Sequence, residues 1–318
     1  MRLLITGVSG LLGANLAWEA RAAGYPVVGQ VHRRLLPGAP FAVRAADLTD
    51  PAALADLLAW ARPDAIVHTA ALAHVDACER RPTLAQRLNA QAPAALARWA
   101  AQARVPLVHI STDAVFDGQG GPYGEDDPPR PLNVYARTKA AGERAVLSAH
   151  PQALVLRVNF FGWSLTGTRS LAEWFYEHLR AGTPTPGFRD VFFTPLLVNH
   201  LARLILEALE RGLHGVYHAT GSTCLSKYDF GVALARRFGF DPHLVRPTTV
   251  AEAALAAPRP RRLCLRNDRL RAALGHAIPD VYAGLDDLFR LLHAGYTQDL
   301  RAWLVSPRED AYADYCAL

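Results

Sequence analysis

Short apolar runs alternate with longer, alanine-rich segments through the first half of the chain. The apolar runs occupy residues 2–6, 26–31, 41–48, 64–69, 105–110 and 153–158. Their Val, Ile and Leu content is typical of parallel strands that are buried on both faces. The segments between the runs, such as 82–103, have the length and composition of helices. Repeated strand–helix alternation with short links predicts an α/β fold built on a doubly wound parallel sheet.

The pattern changes after residue 158, where an aromatic-rich and less regular segment begins. A helix at 198–211 and a strand at 215–219 still fit the sheet, whereas later residues predict small helices and loops. We therefore expect two domains and a C-terminal tail. The sheet domain comprises 1–158 and 188–219, the smaller, discontinuous substrate domain comprises 159–187 and 220–308, and the tail comprises 309–318.

Three glycines with regular spacing separate the first strand from the first helix. Gly7, Gly10 and Gly13 form the pattern G-x-x-G-x-x-G, which lets a backbone approach a pyrophosphate closely. The following helix offers unpaired N–H groups, here from Leu11 and Leu12, and the positive end of its dipole. This context predicts a Rossmann-type dinucleotide site, with a merely tight strand–helix turn as the alternative. It also favours a nucleotide loop over a signal peptide.

The end of the second strand indicates which dinucleotide binds. An acidic residue there would accept hydrogen bonds from a ribose 2′-hydroxyl, but the chain has Val31 followed by His32, Arg33 and Arg34. Arginine side chains can bind a 2′-phosphate through bidentate hydrogen bonds. The pattern therefore favours NADP(H) over NAD, and the alternative is a solvated basic turn.

Further strand ends supply residues for the same cofactor. Asp47 and Leu48 follow the third strand and could flank the adenine, although Asp47 could equally belong to the start of the next helix. Ala70 and Ala71 follow the fourth strand and leave room for a bulky ligand. Ser111 follows the fifth. Ligands of doubly wound sheets bind at these carboxyl ends, so we expect all five residues near the cofactor.

Candidate catalytic groups lie between Thr112 and Lys139. Tyr135 and Lys139 are four residues apart at the start of a predicted helix, so their side chains share one face. A lysine ammonium beside a phenol favours the phenolate and would lower the pKa of Tyr135 toward neutrality. The pair alone is weak, because most such pairs are ordinary helix-surface residues. We predict that Thr112, Tyr135 and Lys139 act together because the glycine pattern accompanies them.

Composition narrows the class of protein. The chain has 318 residues and a net charge of +5, but its basic residues are dispersed, which argues against a nucleic-acid partner. No apolar run reaches membrane-spanning length without interruption, which argues against a membrane partner. The four cysteines, Cys78, Cys224, Cys264 and Cys316, form no C-x-x-C pair. We therefore expect reduced thiols in a cytoplasmic protein and no metal site.

Four motifs in order resemble those of one family: TGVSGLLG, HTAA, STDAVFDG and YARTK. The chain resembles the extended short-chain dehydrogenase/reductase superfamily, and within it the dTDP-4-dehydrorhamnose reductase family. The resemblance implies an NADP-dependent oxidoreductase that reduces a nucleotide-linked 4-keto-6-deoxy sugar. It implies that Thr112 hydrogen-bonds the substrate carbonyl and Tyr135 donates the proton. Lys139 would hold the nicotinamide ribose and tune the tyrosine.

The residues that bind the substrate are harder to predict from the sequence. After the sixth strand the chain reads RVNFFGW, whereas the family pattern is closer to R-T-S-W-V-Y. Phe160 therefore stands where a substrate-facing tryptophan is expected, and Trp163 could replace that tryptophan. This departure affects the choice of sugar more than the hydride chemistry.

Other predicted substrate residues lie in loops. His74 and Asp76 follow the fourth strand, and Asp113 follows Thr112. Arg259, in the Pro-broken segment APRPRRL, could bind a substrate diphosphate, although a solvated charged turn explains it equally well. His68 and His109 lie inside apolar strands, so we interpret both as core residues.

Alternative functions remain open at the level of sequence. Nucleotide-sugar epimerases use the same three residues. The chain also resembles the regulatory β subunit of methionine adenosyltransferase, which has a nucleotide site and works through a protein partner. Ala114 stands where 4,6-dehydratases carry an acidic residue, so dehydration is disfavoured. A homodimer, the sugar and the nucleotide base also stay open.

Overall fold

The computed structural model describes residues 1–253 and 260–305. The strands are β1 (Leu3–Thr6), β2 (Val27–Val31), β3 (Ala42–Ala45), β4 (Ala65–His68), β5 (Leu107–Thr112), β6 (Leu154–Val158), β7 (Phe160–Phe161), β8 (Thr185–Phe188), β9 (Phe192–Phe193), β10 (Leu196–Leu197), β11 (Gly215–Ala219), β12 (Leu225–Ser226), β13 (Val245–Thr248) and β14 (Arg262–Leu263). The helices are α1 (Leu11–Ala22), α2 (Pro51–Ala61), α3 (Val75–Arg80), α4 (Pro82–Gln86), α5 (Ala92–Ala103), α6 (Val134–Ala149), α7 (Leu171–Arg180), α8 (Val198–Glu210), α9 (Lys227–Phe238), α10 (Asp268–Leu274), α11 (Val281–His293) and α12 (Tyr296–Ala302).

A seven-stranded parallel sheet forms the centre of the molecule. Its strand order is β11-β6-β5-β4-β1-β2-β3, and every pair within it is parallel. Every residue of β1, β2, β4, β5 and β6 is buried, as their continuous apolar runs predict. The prediction of a Rossmann-type doubly wound sheet is confirmed. The order reverses between β1 and β4, which is where such sheets open a crevice for ligands.

The segment predicted as one helix at 82–103 is interrupted. A π-helical turn, Arg87–Gln91, separates α4 from α5. Asn89 lies in this turn, and its side-chain amide donates to the carbonyl of Leu72 and to the hydroxyl of Thr138. Its side-chain oxygen accepts a hydrogen bond from the Leu72 N–H at 2.9 Å. The turn thus lets a buried amide join the β4–α3 loop to α6.

Small sheets form in the residues that follow β6. β7 pairs with β10, β8 pairs with β13, and β9 lies between β12 and β14. An aromatic cluster packs under them, including Phe161, Phe175, Phe193 and Phe230. The domain boundaries given above stay a prediction. The predicted tail at 309–318 lies outside the described residues.

Two of the four cysteines are bonded to each other. Cys224 and Cys264 form a disulfide with their Cα atoms 5.5 Å apart, so the expectation of reduced thiols is wrong for this pair. The two residues are 40 positions apart in sequence, and the fold brings them together because β12 and β14 both pair with β9. Cys78 is free and buried, and Cys316 lies outside the described residues.

Within the described ranges, no helix has the length and apolar character needed to cross a membrane. The same part of the chain contains no group of three or more His, Cys, Asp or Glu side chains placed to hold a metal ion.

Candidate active site

The glycine loop after β1 is packed too tightly for side chains. Gly7 has φ +69°, and a Cβ there would lie 2.7 Å from the Cα of Ala70. A Cβ at Gly13 would lie 2.4 Å from the carbonyl oxygen of Gly7. The Gly7 N–H donates to the side chain of Gln30, which in turn donates to the carbonyl of Ala46. The loop is therefore fixed between β1, β2 and β4, and its three glycines place no side chain over its backbone.

The N-terminus of α1 is uncapped. Gly10 is the N-cap residue and supplies no side-chain hydrogen bond. The backbone N–H groups of Leu11, Leu12 and Gly13 lie in the first turn, where an α-helix has no intrahelical acceptors for them. An uncapped helix N-terminus beside a glycine cradle fits the pyrophosphate of a dinucleotide.

Two arginine side chains follow β2. Val31 is fully buried at the end of the strand, while Arg33 is exposed and Arg34 is half-buried. Neither arginine forms a hydrogen bond or ion pair with any residue in 1–253 or 260–305. Both guanidinium groups are therefore available to an anion.

Asp47 has a structural partner at the next strand end. Its carboxylate accepts hydrogen bonds from the N–H and hydroxyl of Thr49, and these bonds lower its pKa, helped by the nearby His32. The N-cap of α2 is Asp50, not Asp47. Leu48 is buried in the core beneath this turn.

The β4 end contains both small residues and a helix cap. Ala70 lies against Gly7, and Ala71 beside it is exposed. His74 is the N-cap of α3, where its Nδ1 accepts a hydrogen bond from the Ala77 N–H at 3.3 Å. Asp76 lies in the first turn of the same helix. The cap explains His74 structurally without a ligand.

Thr112 and Asp113 form a buried polar pair at the end of β5. The Thr112 hydroxyl donates to Asp113 at 3.1 Å and accepts a hydrogen bond from the Ala114 N–H. Burial raises the pKa of Asp113 to about 6, although hydrogen bonds from Asn159 and Thr112 and the charge of Lys227 oppose this effect. Asp113 is therefore a carboxyl group that titrates close to neutral pH.

Tyr135 lies in the first turn of α6, beside Thr112 and Asp113. The helix starts at the N-cap Asn133, whose side chain accepts a hydrogen bond from the Ala136 N–H. Burial raises the pKa of Tyr135 to about 12, while a hydrogen bond with the Thr112 side chain lowers it and the carboxylate of Asp113 raises it. The prediction that Lys139 brings this pKa toward neutrality is therefore wrong for this structure.

The Lys139 side chain points toward β5, which explains why it does not bring the pKa of Tyr135 toward neutrality. Its Nζ donates to the carbonyl oxygen of Ile110 at 2.6 Å and lies 3.5 Å from Nε2 of His109. The side chain is 3% exposed, and burial lowers its pKa to about 8 while the charge of Glu143 raises it. The spacing of four places Tyr135 and Lys139 on one helix face but does not decide what the ammonium contacts.

Ser111 and two aromatic residues take positions that differ from those expected. The Ser111 hydroxyl donates to Glu143 at 2.5 Å rather than lying free for a ligand. Phe160 is half-buried in β7. Trp163 is 1% exposed, packs edge-on against Tyr176, and donates its indole N–H to a backbone carbonyl of α11. The structure thus places Trp163 in the core, against the prediction that it faces a substrate.

Two residues near the site were not predicted. The Asn159 side-chain amide donates to Asp113 at 2.5 Å, and the charge of Lys227 acts on the same carboxylate. Asn159 directly follows β6, so its place at a strand end could have identified it. Lys227 begins α9, and nothing in the sequence relates it to β5. Arg259 lies outside the described residues.

A glycine cradle, a buried threonine at the end of β5, and a Tyr–Lys pair on α6 define the class as an extended short-chain dehydrogenase/reductase. The family model described as "RmlD substrate binding domain" matches residues 1–293, and the chain belongs to this family. The resemblance found in the sequence is confirmed.

Individual relatives carry different names. One is a probable dTDP-4,6-dihydroxy-2-methyloxan-3-one 4-ketoreductase of Streptomyces antibioticus, which is 37% identical. The alignment with it covers 89% of this chain and 96% of that protein. Another is methionine adenosyltransferase 2 subunit beta of Xenopus laevis, 34% identical over 81% of this chain and 78% of its own. The crystal structure of dTDP-4-dehydrorhamnose reductase from Bacillus anthracis in complex with NADP superposes with a TM-score of 0.81, at 26% identity. It covers 91% of this chain and 98% of that chain.

Proposed function

We propose that the chain is an NADPH-dependent reductase of a nucleotide-linked 4-keto-6-deoxy sugar, with Tyr135 as the proton donor. One observation carries the proposal. The Thr112 hydroxyl lies close enough to the Tyr135 phenol to lower its pKa, at the sheet edge from which the glycine loop also emerges. Two hydroxyl groups beside a dinucleotide cradle are what a carbonyl reduction needs.

The protonation state of Tyr135 suits reduction. NADPH, when bound, supplies the hydride that reduces the keto carbon. A phenol with a pKa of about 12 is protonated at neutral pH, so Tyr135 holds the proton that the developing alkoxide must receive. Thr112 lies beside it and can donate a hydrogen bond to the same oxygen. A sugar-nucleotide epimerase would first need a base at this position, and a raised pKa disfavours that role.

The cofactor preference rests on Arg33 and Arg34. Both lack partners among the described residues, whereas Asp47, the acidic residue that follows the neighbouring strand β3, already accepts hydrogen bonds from Thr49. Free guanidinium groups suit a 2′-phosphate, and a buried Val31 offers a 2′-hydroxyl no acceptor. The NADP complex of the Bacillus anthracis relative supports the same preference.

Substrate recognition involves Asp113 and Asn159, which follow β5 and β6, together with Lys227 at the start of α9. Together they provide a carboxyl group, an amide and an ammonium, which can bind the hydroxyl groups and the negative charge of a nucleotide sugar. The names of the relatives from Streptomyces antibioticus and Bacillus anthracis support a ketosugar substrate.

A second candidate is a regulatory subunit that binds a nucleotide and works through a protein partner. The 34% identity to methionine adenosyltransferase 2 subunit beta favours it, because that relative is named as a subunit of a different enzyme. In that case the site would be retained without turnover, and the polar set around Thr112 would serve binding alone.

Purified chain should be mixed with NADPH and a dTDP-linked 4-keto-6-deoxy sugar, and NADPH consumption followed by absorbance. We expect consumption to require the nucleotide-linked sugar and to be slow with the free sugar. Tight NADPH binding without consumption, across several nucleotide ketosugars, would favour the regulatory candidate instead.

A further inference from the structure

The disulfide joins two segments that lie on either side of one short strand. Cys224 directly precedes β12, Cys264 directly follows β14, and both of these strands pair with β9. Each pairing spans two residues, so few backbone hydrogen bonds hold either segment to β9. The bond between the two sulfur atoms is therefore a direct link between two short, weakly paired segments.

The two cysteines differ in their access to solvent. Cys224 is exposed and lines an open pocket of about 560 Å³ between α9 and α11. Cys264 is 4% exposed. A thiol dissolved in water can therefore approach the bond from the Cys224 side and not from the Cys264 side. Access of this kind helps to decide which sulfur atom of a disulfide is attacked.

The segment that contains Cys264 packs beneath the residues that follow Thr112. Leu263 and Leu265, on either side of Cys264, are buried in one hydrophobic cluster. The other buried residues of that cluster are Val115, Phe116, Tyr123 and Ala140. The cluster thus includes a residue three positions after Thr112 and the residue directly after Lys139. The Cys264 segment therefore supports both parts of the chain that carry the predicted catalytic residues.

Backbone hydrogen bonds connect the same two regions. The Tyr123 N–H donates to the carbonyl of Cys264 at 2.9 Å, and the Arg266 N–H donates to the carbonyl of Tyr123 at 2.7 Å. The ring of Tyr123 stacks on that of Phe116 with centroids 4.3 Å apart. The Phe116 N–H in turn donates to the carbonyl of Asp113 at 3.2 Å. Contacts therefore run without a gap from Cys264 to Asp113, at the end of β5.

We propose that Cys224 is a site of thiol exchange, and that opening its bond to Cys264 loosens the segment 113–124 after β5. The exchange itself is independent of the proposed function. Its effect on turnover rests on that function, because segment 113–124 begins at Asp113 and follows Thr112 directly.

The exchange proceeds in two steps, with a small thiol as the reductant. The thiolate attacks the sulfur of Cys224, the S–S bond breaks, and its electron pair leaves on the sulfur of Cys264, which takes a proton from solvent. Cys224 is then held in a mixed disulfide. A second thiolate attacks the small thiol's sulfur in that mixed disulfide, and Cys224 leaves as a thiolate and is protonated. The two small thiols end as a disulfide, so the protein gains two electrons and two protons.

Mass spectrometry can locate the first step. The folded protein would be treated with reduced glutathione, a small thiol, sampled at early times before the second step, and alkylated with iodoacetamide. We expect glutathione on Cys224 and an alkyl group on Cys264. Glutathione on Cys264, or no exchange while the protein stays folded, would overturn the proposal. Peptide analysis separates these two residues from Cys78 and Cys316.

Hydrogen exchange reports the structural effect. Reduction by dithiothreitol should speed amide exchange in 113–124 by about tenfold. Exchange in α2 should not change, because its buried residues belong to a different cluster. The double variant Cys224→Ser with Cys264→Ser should show the faster exchange with and without dithiothreitol. Exchange in 113–124 that stays the same after reduction would sink the link to the site.

Turnover provides the second readout. If the wild type reduces the ketosugar, reduction of the disulfide should lower kcat/KM by about tenfold, because small displacements of reacting groups are costly. The double variant should have the lower value under both conditions, and NADPH affinity should stay unchanged. A kcat/KM that does not depend on the disulfide would also overturn the link. If the wild type reduces no ketosugar, the proposed function fails, whereas mass spectrometry and hydrogen exchange still decide the role of Cys224.

Discussion

Tyr135 is the residue on which the proposed chemistry depends most. Burial raises its pKa to about 12, which keeps the phenol protonated, and its side chain lies beside Thr112 at the end of β5. Removing the hydroxyl in Tyr135→Phe should lower kcat by about 100- to 10,000-fold, the usual contribution of a positioned general acid. NADPH affinity should change little, because the ring remains. Steady-state kinetics and a fluorescence titration would measure the two effects.

Tyr282→Phe is the matched control for this variant. Tyr282 lies on α11 and is 56% exposed, so loss of its hydroxyl should leave kcat unchanged. Turnover in Tyr135→Phe equal to that of the control would remove Tyr135 from the mechanism.

Arg33 and Arg34 carry the predicted preference for NADPH. One charge-assisted hydrogen bond contributes about 1.5–3 kcal/mol, which corresponds to roughly tenfold to hundredfold in affinity. The double substitution to Ala should therefore remove most of the preference over NADH, and Arg144→Ala, on the exposed face of α6, should not. Competitive titration of both cofactors tests this. Equal wild-type affinities for NADH and NADPH would show that Arg33 and Arg34 are surface charge.

At the scale of single residues, the sequence predicts which residues belong to the site better than it predicts their contacts. Thr112 and Tyr135 could be identified because a strand end and a helix start place them regardless of packing. The pKa of Tyr135 could not be predicted, because it depends on the burial of Tyr135 itself and on the groups that Thr112 and Asp113 place beside it. Trp163 was misplaced because its position relative to a family pattern does not reveal which side of β7 is packed against α7 and α11.

At the scale of elements, the short apolar runs were sufficient to predict the central strands. The strands β1, β2, β4, β5, β6 and β11 all lie within the predicted runs or overlap them closely. The π-helical turn at 87–91 could not be predicted, because it arises from the contacts of Asn89 with two other elements. The two-residue strands β7, β9, β10, β12 and β14 are too short to have a periodicity of their own.

The disulfide joins two such short strands and should stabilise them. It closes a segment 40 residues long, for which loss of unfolded-chain entropy gives about 4 kcal/mol. Cys224 is exposed, so a reductant can reach the bond. We expect the Tm to fall when a thiol reductant is added, as measured by calorimetry.

The variant Cys224→Ser with Cys264→Ser controls for effects of the reductant itself. Its Tm should match that of the reduced wild type and should not respond to the reductant. A wild-type Tm that is the same with and without reductant would contradict a stabilising disulfide.

At the scale of the whole molecule, strand order explains why distant segments meet. The reversal between β1 and β4 brings the glycine loop, Ala70 and Thr112 to one edge, and these come from well-separated parts of the chain. The sequence could predict this edge from alternation alone. It could not predict which residues of the small sheets approach it, because those sheets form only through long-range pairing.

Buried histidines make the stability of the molecule depend on pH. Burial lowers the pKa of His68 to about 3 and that of His218 to about 4, and lowers that of His109 well below its usual value. Between pH 6.5 and 4 the unfolded chain therefore binds more protons at these sites, so stability falls as the pH falls. Asp113, whose pKa burial raises to about 6, and His276, whose pKa is raised by its hydrogen bond with Glu207, oppose this trend, but the three buried histidines outnumber them. Urea unfolding at about pH 7 and about pH 5 should show the loss.

An exposed histidine provides the control for this trend. His214→Gln should leave the pH dependence unchanged, because the side chain is exposed on the α8–β11 loop. Constant stability across this pH range would mean that the three buried histidines are not neutral in the folded protein.

The most direct test of the central claim follows the hydride itself. NADPH carrying deuterium at the transferred position of nicotinamide C4 would be incubated with the purified chain and a dTDP-linked 4-keto-6-deoxy sugar. The product would then be examined by mass spectrometry and NMR. A reductase places one deuterium on C4 of the sugar for each NADPH consumed, and Tyr135→Phe should suppress this transfer. If the protein binds NADPH but the sugar is recovered without deuterium, the proposed reduction is contradicted.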